Sequence, residues 1–256
     1  MEFLSVRQTE DIAYVSLENP NEFNALSEKL MEELKELLFK IGQEKAVKVV
    51  VIEGSKKAFC VGHSLKEVET KSDLEVMELF RTCESLMKTM REIPQIIISK
   101  VEGVAVAAGS QLVAASDLAV ASDQARFGVP GINSGLFCST PAVFVSRNIG
   151  RKKAAELLFT GNLMSALEAE REGLVNKVVP VEKLDEVTDQ LAKDITKQSL
   201  NIIAIGKRQF YEQLNMEDFQ ALNYATEVIV RNSQHPDAKE GIRAFFEKRT
   251  PIWPDK

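Results

Sequence analysis

The sequence predicts an α/β core followed by an α-helical tail. Three observations carry this. Short β-branched runs alternate with helical stretches as far as Val179, and beyond Glu182 only helical periodicity remains. No linker, internal repeat or low-complexity stretch interrupts the 256 residues. A single core over 1–195 with a helical appendage over 196–256 is the expected organisation.

The elements are justified in order. Residues 3–17 read as a hairpin, two β-prone stretches around the polar turn Thr9-Glu10-Asp11. Ser27 is a candidate N-cap for a helix with Leu30, Met31, Leu34, Leu37, Leu38 and Ile41 on one face. Val49 to Ile52 is a continuous β-branched run ended by Gly54, as expected of a strand buried on both faces. Residues 55–72 read as a loop. A helix from about Leu74 to Ile93 should turn Val76, Met77, Phe80, Cys83, Met87 and Met90 inward, and Pro94 ends it. Strands follow at Ile96–Ile98, Val104–Ala107, Leu118–Ala121 and Leu174–Val179, with a small-residue helix opening at Gly109-Ser110. Thr140-Pro141 reads as an N-cap with proline first in the helix, and Ser165 to Glu168 as a capping box.

Composition excludes several functions. A net charge of −6 without a basic stripe argues against nucleic acid. Three scattered cysteines, Cys60, Cys83 and Cys138, and two histidines form no zinc-ligand spacing, so no metal is expected. Apolar runs such as Val104 to Ala108 fall short of a membrane span, and residues 1–7 lack the pattern of a signal peptide. A cytoplasmic protein is the expectation.

Three segments then carry a resemblance. Lys57 to Glu67 reads K-A-F-C-V-G-H-S-L-K-E, close to a loop of form A-F-C-A-G-x-D-L-K-E. Gly103 to Leu112, followed by Ser116 to Ala121, matches a small-residue turn and its following strand. Ala125 to Gly131 runs on to Phe159-Thr160-Gly161 and Gly173-Leu174-Val175. Asn24 to Ser27 and the tail from Glu240-Gly241 to Arg249 match more weakly. In this order the segments resemble the crotonase superfamily of enoyl-CoA hydratases and isomerases across nearly the whole chain. The resemblance implies a spiral of β-β-α units with two roughly perpendicular sheets. It also implies a C-terminal helical region that builds homotrimers or homohexamers. Ile202, Ile203, Ile205, Phe210, Leu214, Phe219, Leu222, Ile229, Phe245 and Phe246 in the tail agree with such packing, being more apolar surface than a lone tail exposes.

The same resemblance implies an acyl-CoA thioester substrate, with coenzyme A entering as part of that substrate and no covalently bound cofactor. The thioester carbonyl would sit between the backbone amides of His63 and Ala108, an arrangement that stabilises the charge of an enolate. Ala25, Cys60, Gly62, Leu65 and Gly109 would contact the substrate, and Lys66 and Lys248 would approach the nucleotide of CoA as mobile point charges. Simple surface lysines are the alternative at both positions. Basic residues common after Pro20 are replaced by Asn21-Glu22.

The pattern fails at the acids. The two glutamates a hydratase uses to handle its water would fall on Gln111 and Gly131, and the acid of some isomerases on Ser139. None is a carboxylate. His63, Asn133, Cys138 and Ser139 are candidate replacements, and of these His63 alone titrates near neutrality when unperturbed. Its side chain has the alternative of pointing away while only its amide serves. Cys138 has the alternative of a buried structural thiol. Asp117 and Glu102 are expected to be structural, and Gly131 is a candidate for positive φ. An enzyme of limited turnover on acyl-CoA is the leading expectation, and a catalytically silent acyl-CoA-binding protein the alternative.

Overall fold

The computed structural model describes residues 1–253. The chain opens with an antiparallel hairpin, β1 (Leu4–Thr9) and β2 (Ile12–Leu17), and α1 (Glu28–Gly42), capped by the Ser27 hydroxyl accepting from the Leu30 amide. There follow β3 (Val49–Glu53), β4 (Ala58–Cys60), α2 (Leu65–Thr70), α3 (Asp73–Glu92), β5 (Ile96–Val101), β6 (Val104–Val106) and α4 (Ala108–Ala115). Next come β7 (Leu118–Ser122), β8 (Arg126–Gly128), α5 (Ser139–Asn148), α6 (Arg151–Thr160), β9 (Leu163–Ser165), α7 (Ala166–Glu172) and β10 (Lys177–Val179). Four helices finish the described chain: α8 (Leu184–Thr196), α9 (Leu200–Gln213), α10 (Asp218–Ser233) and α11 (Pro236–Glu247).

From β3 to β8, consecutive strands go to different sheets. One sheet has the order β1-β2-β3-β5-β7-β10 and the other β4-β6-β8-β9. Thus β3-β4, β5-β6 and β7-β8 each place one strand in each sheet, and each pair is followed by helix. Every turn advances one position in both sheets through parallel pairing. That is the β-β-α spiral expected from the resemblance. Strand β3 shows why a continuous apolar run is required. Val50 and Ile52 enter the main core, while Val49 and Val51 face the opposite side under Leu184 and Ala192 of α8.

Several local expectations need correction. Residues 55–72 are not simply a loop. They hold β4 and α2, too short to show periodicity. Helix α3 buries Leu79, Cys83, Leu86, Met87 and Met90, whereas Val76, Met77 and Phe80 border open cavities. The N-cap of α5 is Cys138, not Thr140, and Pro141 sits third in the helix, where its missing N–H is still harmless. The last strand is confined to Lys177–Val179. The capping box at Ser165 and Glu168 is present in both directions.

A buried node ties α9 of the tail to the core. Lys207 of α9 donates to Asp117 Oδ2 at 2.8 Å and to the Met90 and Gln95 carbonyls at 2.8 Å each. The Tyr211 hydroxyl donates to Asp117 Oδ1 at 2.7 Å, and the Ile97 amide donates to Oδ2 at 2.8 Å. Burial lowers the Lys207 pKa and raises that of Tyr211. Deleting one member of such a pair strands a buried charge. Asp117→Ala is therefore expected to lower unfolding free energy by roughly 3–5 kcal/mol in urea titration. A loss under about 1 kcal/mol would show that α9 is held by its apolar contacts instead.

Candidate active site

The site grows from two turns, each following a strand of the smaller sheet. After β4 the chain turns at Gly62, where φ is +100°. Gly62 O accepts from the Leu26 amide at 2.7 Å, and Ser64 N donates to Leu26 O at 3.4 Å. In this parallel bridge the N–H of the intervening residue, His63, points away from Leu26. After β6, Ala107 adopts φ 50° and ψ −120°, a conformation that side-chain-bearing residues avoid. It hands the chain into α4, whose first amide is that of Ala108. Among the described residues neither the His63 nor the Ala108 amide has an acceptor. The two turns touch: a Cβ on Gly109 would lie 2.0 Å from the Cys60 carbonyl oxygen, so only glycine permits the approach.

Both amide-bearing residues border one cavity of about 430 Å³, a size suited to a small ligand. His63, Leu65, Ala108, Gly131, Cys138 and Ser139 are brought together on its wall, with Phe80, Leu136 and Phe137. None of its sixteen lining residues is an aspartate or glutamate. The His63 ring lies edge-on to Phe80, 4.7 Å between centroids, and its Nε2 is buried without a partner. Burial brings its pKa down to about 4. The imidazole is thus neutral at pH 7, with the proton affinity of a carboxylate but none of its charge.

The other sequence candidates divide. Cys60 lies behind the wall, fully buried, its thiol pushed up to about 12 by burial. Ala25 is buried next to Asn24, whose side chain donates to the Ala58 and Phe59 carbonyls and fastens this loop to β4. Cys138 accepts from the Gly131 amide at 3.3 Å, and burial raises its pKa, which leaves the thiol unactivated. Asn133 turns away and donates to Gly161 O at 3.4 Å. Gln111 is buried but borders a neighbouring cavity rather than this one. Lys66 lines a separate polar recess with Asn19, Ser27 and Lys29. Lys248 is an exposed C-cap of α11 in the left-handed conformation (φ 55°). Glu102 borders neither cavity, and Asp117 serves the α9 node.

The expectation of positive φ at Gly131 is overturned. Within this loop the left-handed residue is Gly135, at φ 72°. What excludes a side chain at 131 is close approach: a Cβ there would lie 2.5 Å from Leu136 O and 2.7 Å from Cys138 Sγ. Reasoning from sequence missed Phe80, assigned to the core because its spacing matched the buried face of α3. It also missed the exposed pair Phe137 and Phe159, stacked 6.0 Å apart, which no periodicity marks.

The chain is similar to proteins of known family. A family model described as enoyl-CoA hydratase/isomerase matches residues 7–256. Enoyl-CoA hydratase domain-containing protein 3, mitochondrial, of Rattus norvegicus is 42% identical over 97% of this chain and 83% of its own length. The crystal structure of the human protein of that name superposes with TM-score 0.95 at 40% identity, covering 98% of this chain and 100% of that one. The enoyl-CoA hydratase structure from Mycobacterium smegmatis gives TM-score 0.95 at 41% identity, covering 99% of each chain. The cytoplasmic location expected above is overturned by these relatives, which are named mitochondrial in rat, mouse and human. That expectation rested on the first seven residues, the sparse cysteines and the short apolar runs, none of which decides a protein's compartment.

The depressed His63 pKa has a consequence for stability. The unfolded chain takes up a proton near pH 6.5 and the folded chain only near pH 4, so this contribution is complete above pH 6.5 and is lost as pH falls toward 4. Between pH 7.5 and pH 5 the wild type should lose about 2 kcal/mol more unfolding free energy than His63→Gln. Equal losses in urea titrations would show that His63 ionises freely in the folded state.

Proposed function

The chain belongs to the enoyl-CoA hydratase/isomerase family, and we propose that it binds acyl-CoA thioesters with the carbonyl oxygen held by the amides of His63 and Ala108. The observation that carries this reading is a pair of unengaged amides bordering an apolar cavity without a carboxylate. The Ala108 amide opens α4, so the positive end of that helix adds to the stabilisation of negative charge on oxygen. Two preformed donors in a largely apolar cavity favour an enolate over the neutral thioester, because they need no reorganisation when charge develops.

Hydration needs more. A water must be deprotonated as it adds to the β-carbon, and the α-carbon must receive a proton. Gln111 and Gly131 stand where the family pattern has the glutamates for this work. Gln111 accepts and donates hydrogen bonds but exchanges no proton at neutral pH. Neutral His63 is the one imidazole among the cavity's lining residues, though its Nε2 is buried, and Ser139 and Thr140 supply hydroxyls on the same wall. Slow hydration or enolate-based isomerisation follows. The absence of carboxylates on the wall also favours a second reading, acyl-CoA binding without turnover.

Crotonyl-CoA tests both. It should bind far more tightly than ADP in calorimetry. Its enoyl absorbance should decay at least about 10²-fold more slowly than with a two-glutamate hydratase. Binding equal to that of ADP would refute the thioester site, and rapid decay would refute the limited chemistry. Measurable decay supports the enzyme, and tight binding with none supports the silent binder. Gly131→Glu should cost roughly 1–3 kcal/mol of stability through overpacking against Leu136 and add no hydration. A stable variant of raised activity would show the loop more yielding than its contacts suggest. Gln111→Glu, nearly isosteric, should fold.

The oligomer is also part of this reading. Phe219, Leu222, Ile229, Phe245 and Phe246 of α10 and α11 are exposed, Phe245 by 78%. Lys248 follows on the same tail, where a neighbouring subunit would bring it to CoA. A homotrimer or homohexamer is expected, and a monomer by light scattering at micromolar concentration would count against it.

A further inference from the structure

A second cavity of about 940 Å³ adjoins the first, and Phe80 and Thr140 border both. Its lining residues on α3 recur every three or four positions, from Asp73 through Met77, Phe80, Glu84 and Met87 to Arg91. That spacing is one face of a helix, so the second cavity is a groove along α3. Val143 and Phe144 of α5 and Gln111 of α4 complete its lining.

Three helices run side by side away from the first cavity. Phe80 of α3, Ala108 of α4 and Thr140 of α5 border it together. Farther along the same helices, Arg91 and Asn148 both donate to the Ala114 carbonyl. Between these two levels lie Met87, Gln111, Val143 and Phe144, all of them in the groove. The groove therefore continues the first cavity beyond Phe80.

What it offers a ligand is hydrocarbon contact. Val76, Met77, Phe80, Met87, Val143 and Phe144 are apolar, and a fully buried methylene strengthens binding about fourfold. No cation is free to receive a charged end. Arg81 pairs with Glu78 at 2.9 Å and Lys88 with Glu92 at 3.7 Å, all four exposed at the rim. The Arg91 guanidinium lies 3.7 Å from the centroid of the Tyr211 ring and donates to Ala114, so it belongs to the opposite recess. Asp73 and Glu84 are exposed carboxylates on the groove's edge and would repel an anionic end. From Phe80 to Met87 is seven residues of helix, roughly 10 Å. With C–C bonds of about 1.5 Å, about eight extended carbons cover that distance, and an acyl chain of about twelve reaches Met87 with its first few carbons beside the amides.

We infer that this chain takes long acyl groups ending in a methyl, with the tail passing Phe80 into the groove between α3 and α5. Phe80 stands at the junction and is only partly buried, which makes it the side chain the tail must pass. The inference rests on the first cavity being the thioester site.

Calorimetric titration of the full chain with butanoyl-CoA, octanoyl-CoA and dodecanoyl-CoA, each below its micellar concentration, tests it. In a groove open on one side each methylene should strengthen binding about twofold, so dodecanoyl-CoA should bind at least about tenfold more tightly than octanoyl-CoA. Val143 is 44% exposed, and Val143→Glu sets a charge in the groove without disturbing the core. That variant should lose the gain from eight to twelve carbons. Affinity that levels off at octanoyl-CoA overturns the inference, and so does a gain that survives Val143→Glu. A changed oligomer size for the variant in light scattering also overturns it, since the groove would then be a contact between subunits. If Val143→Glu fails to fold, the wild-type series decides alone. Butanoyl-CoA bound without a gain from longer chains sinks only this inference, whereas failure of all three to bind sinks the thioester site with it.

Discussion

The site depends on one close approach of backbone to backbone. The first turn of α4 rests on the Cys60 carbonyl with no room for a single methyl group at Gly109. This contact presses the turn after β4 against the turn after β6, and it brings His63 and Ala108 from distant parts of the chain to one cavity. The rest serves that approach. Asn24 clamps β4 from behind, Ala107 holds a strained conformation that leads into the helix, and parallel pairing of β4 with β6 fixes the register of both turns. Strain at Ala107 costs of order 1–3 kcal/mol, which only a surrounding structure this well packed sustains.

Much of this was legible in the sequence, because the requirement is for smallness. Ala107, Ala108 and Gly109 following a β-branched stretch announce a close approach whatever ligand is involved. Long periodic elements were legible too: α1, α3 and the double-sided strand β3 lie where their patterns place them. Elements of three to six residues were not. β4 and α2 are stabilised by the partner strand and by the Ser64 cap, and neither leaves a periodic trace. The face of α3 was half legible. An apolar stripe facing a cavity reads the same as one facing the core, so Val76, Met77 and Phe80 were assigned inward with Cys83 and Met87.

Where the resemblance places the two glutamates, geometry shows how Gly131 and Gln111 are held. Gly131 is not a vacant glutamate position. The loop from Pro130 to Cys138 has closed over it, with the Gly131 amide donating to Cys138 Sγ and the Leu136 amide donating to Gly131 O at 3.0 Å. Gln111 has likewise been absorbed into a different wall. An uncharged Gln111 leaves no lone buried charge in this largely apolar wall.

A cavity without carboxylates also changes what its histidine means. Beside a glutamate, His63 would be drawn toward its charged form. Here burial is the sole cause of its shift, and the ring stays neutral against Phe80. Under the proposed reading, an anion forming on the thioester oxygen would meet amide dipoles and a helix terminus but no carboxylate among the cavity's lining residues, so its stabilisation would not be opposed by local charge. The same neutrality leaves no group poised to deliver a proton at pH 7, because an imidazole that protonates near pH 4 is a poor acid reservoir there. On the proposed reading such a cavity would hold an enolate better than it would complete a hydration. That asymmetry would follow from burial and from the residues at 111 and 131, within a fold of the enoyl-CoA hydratase/isomerase family.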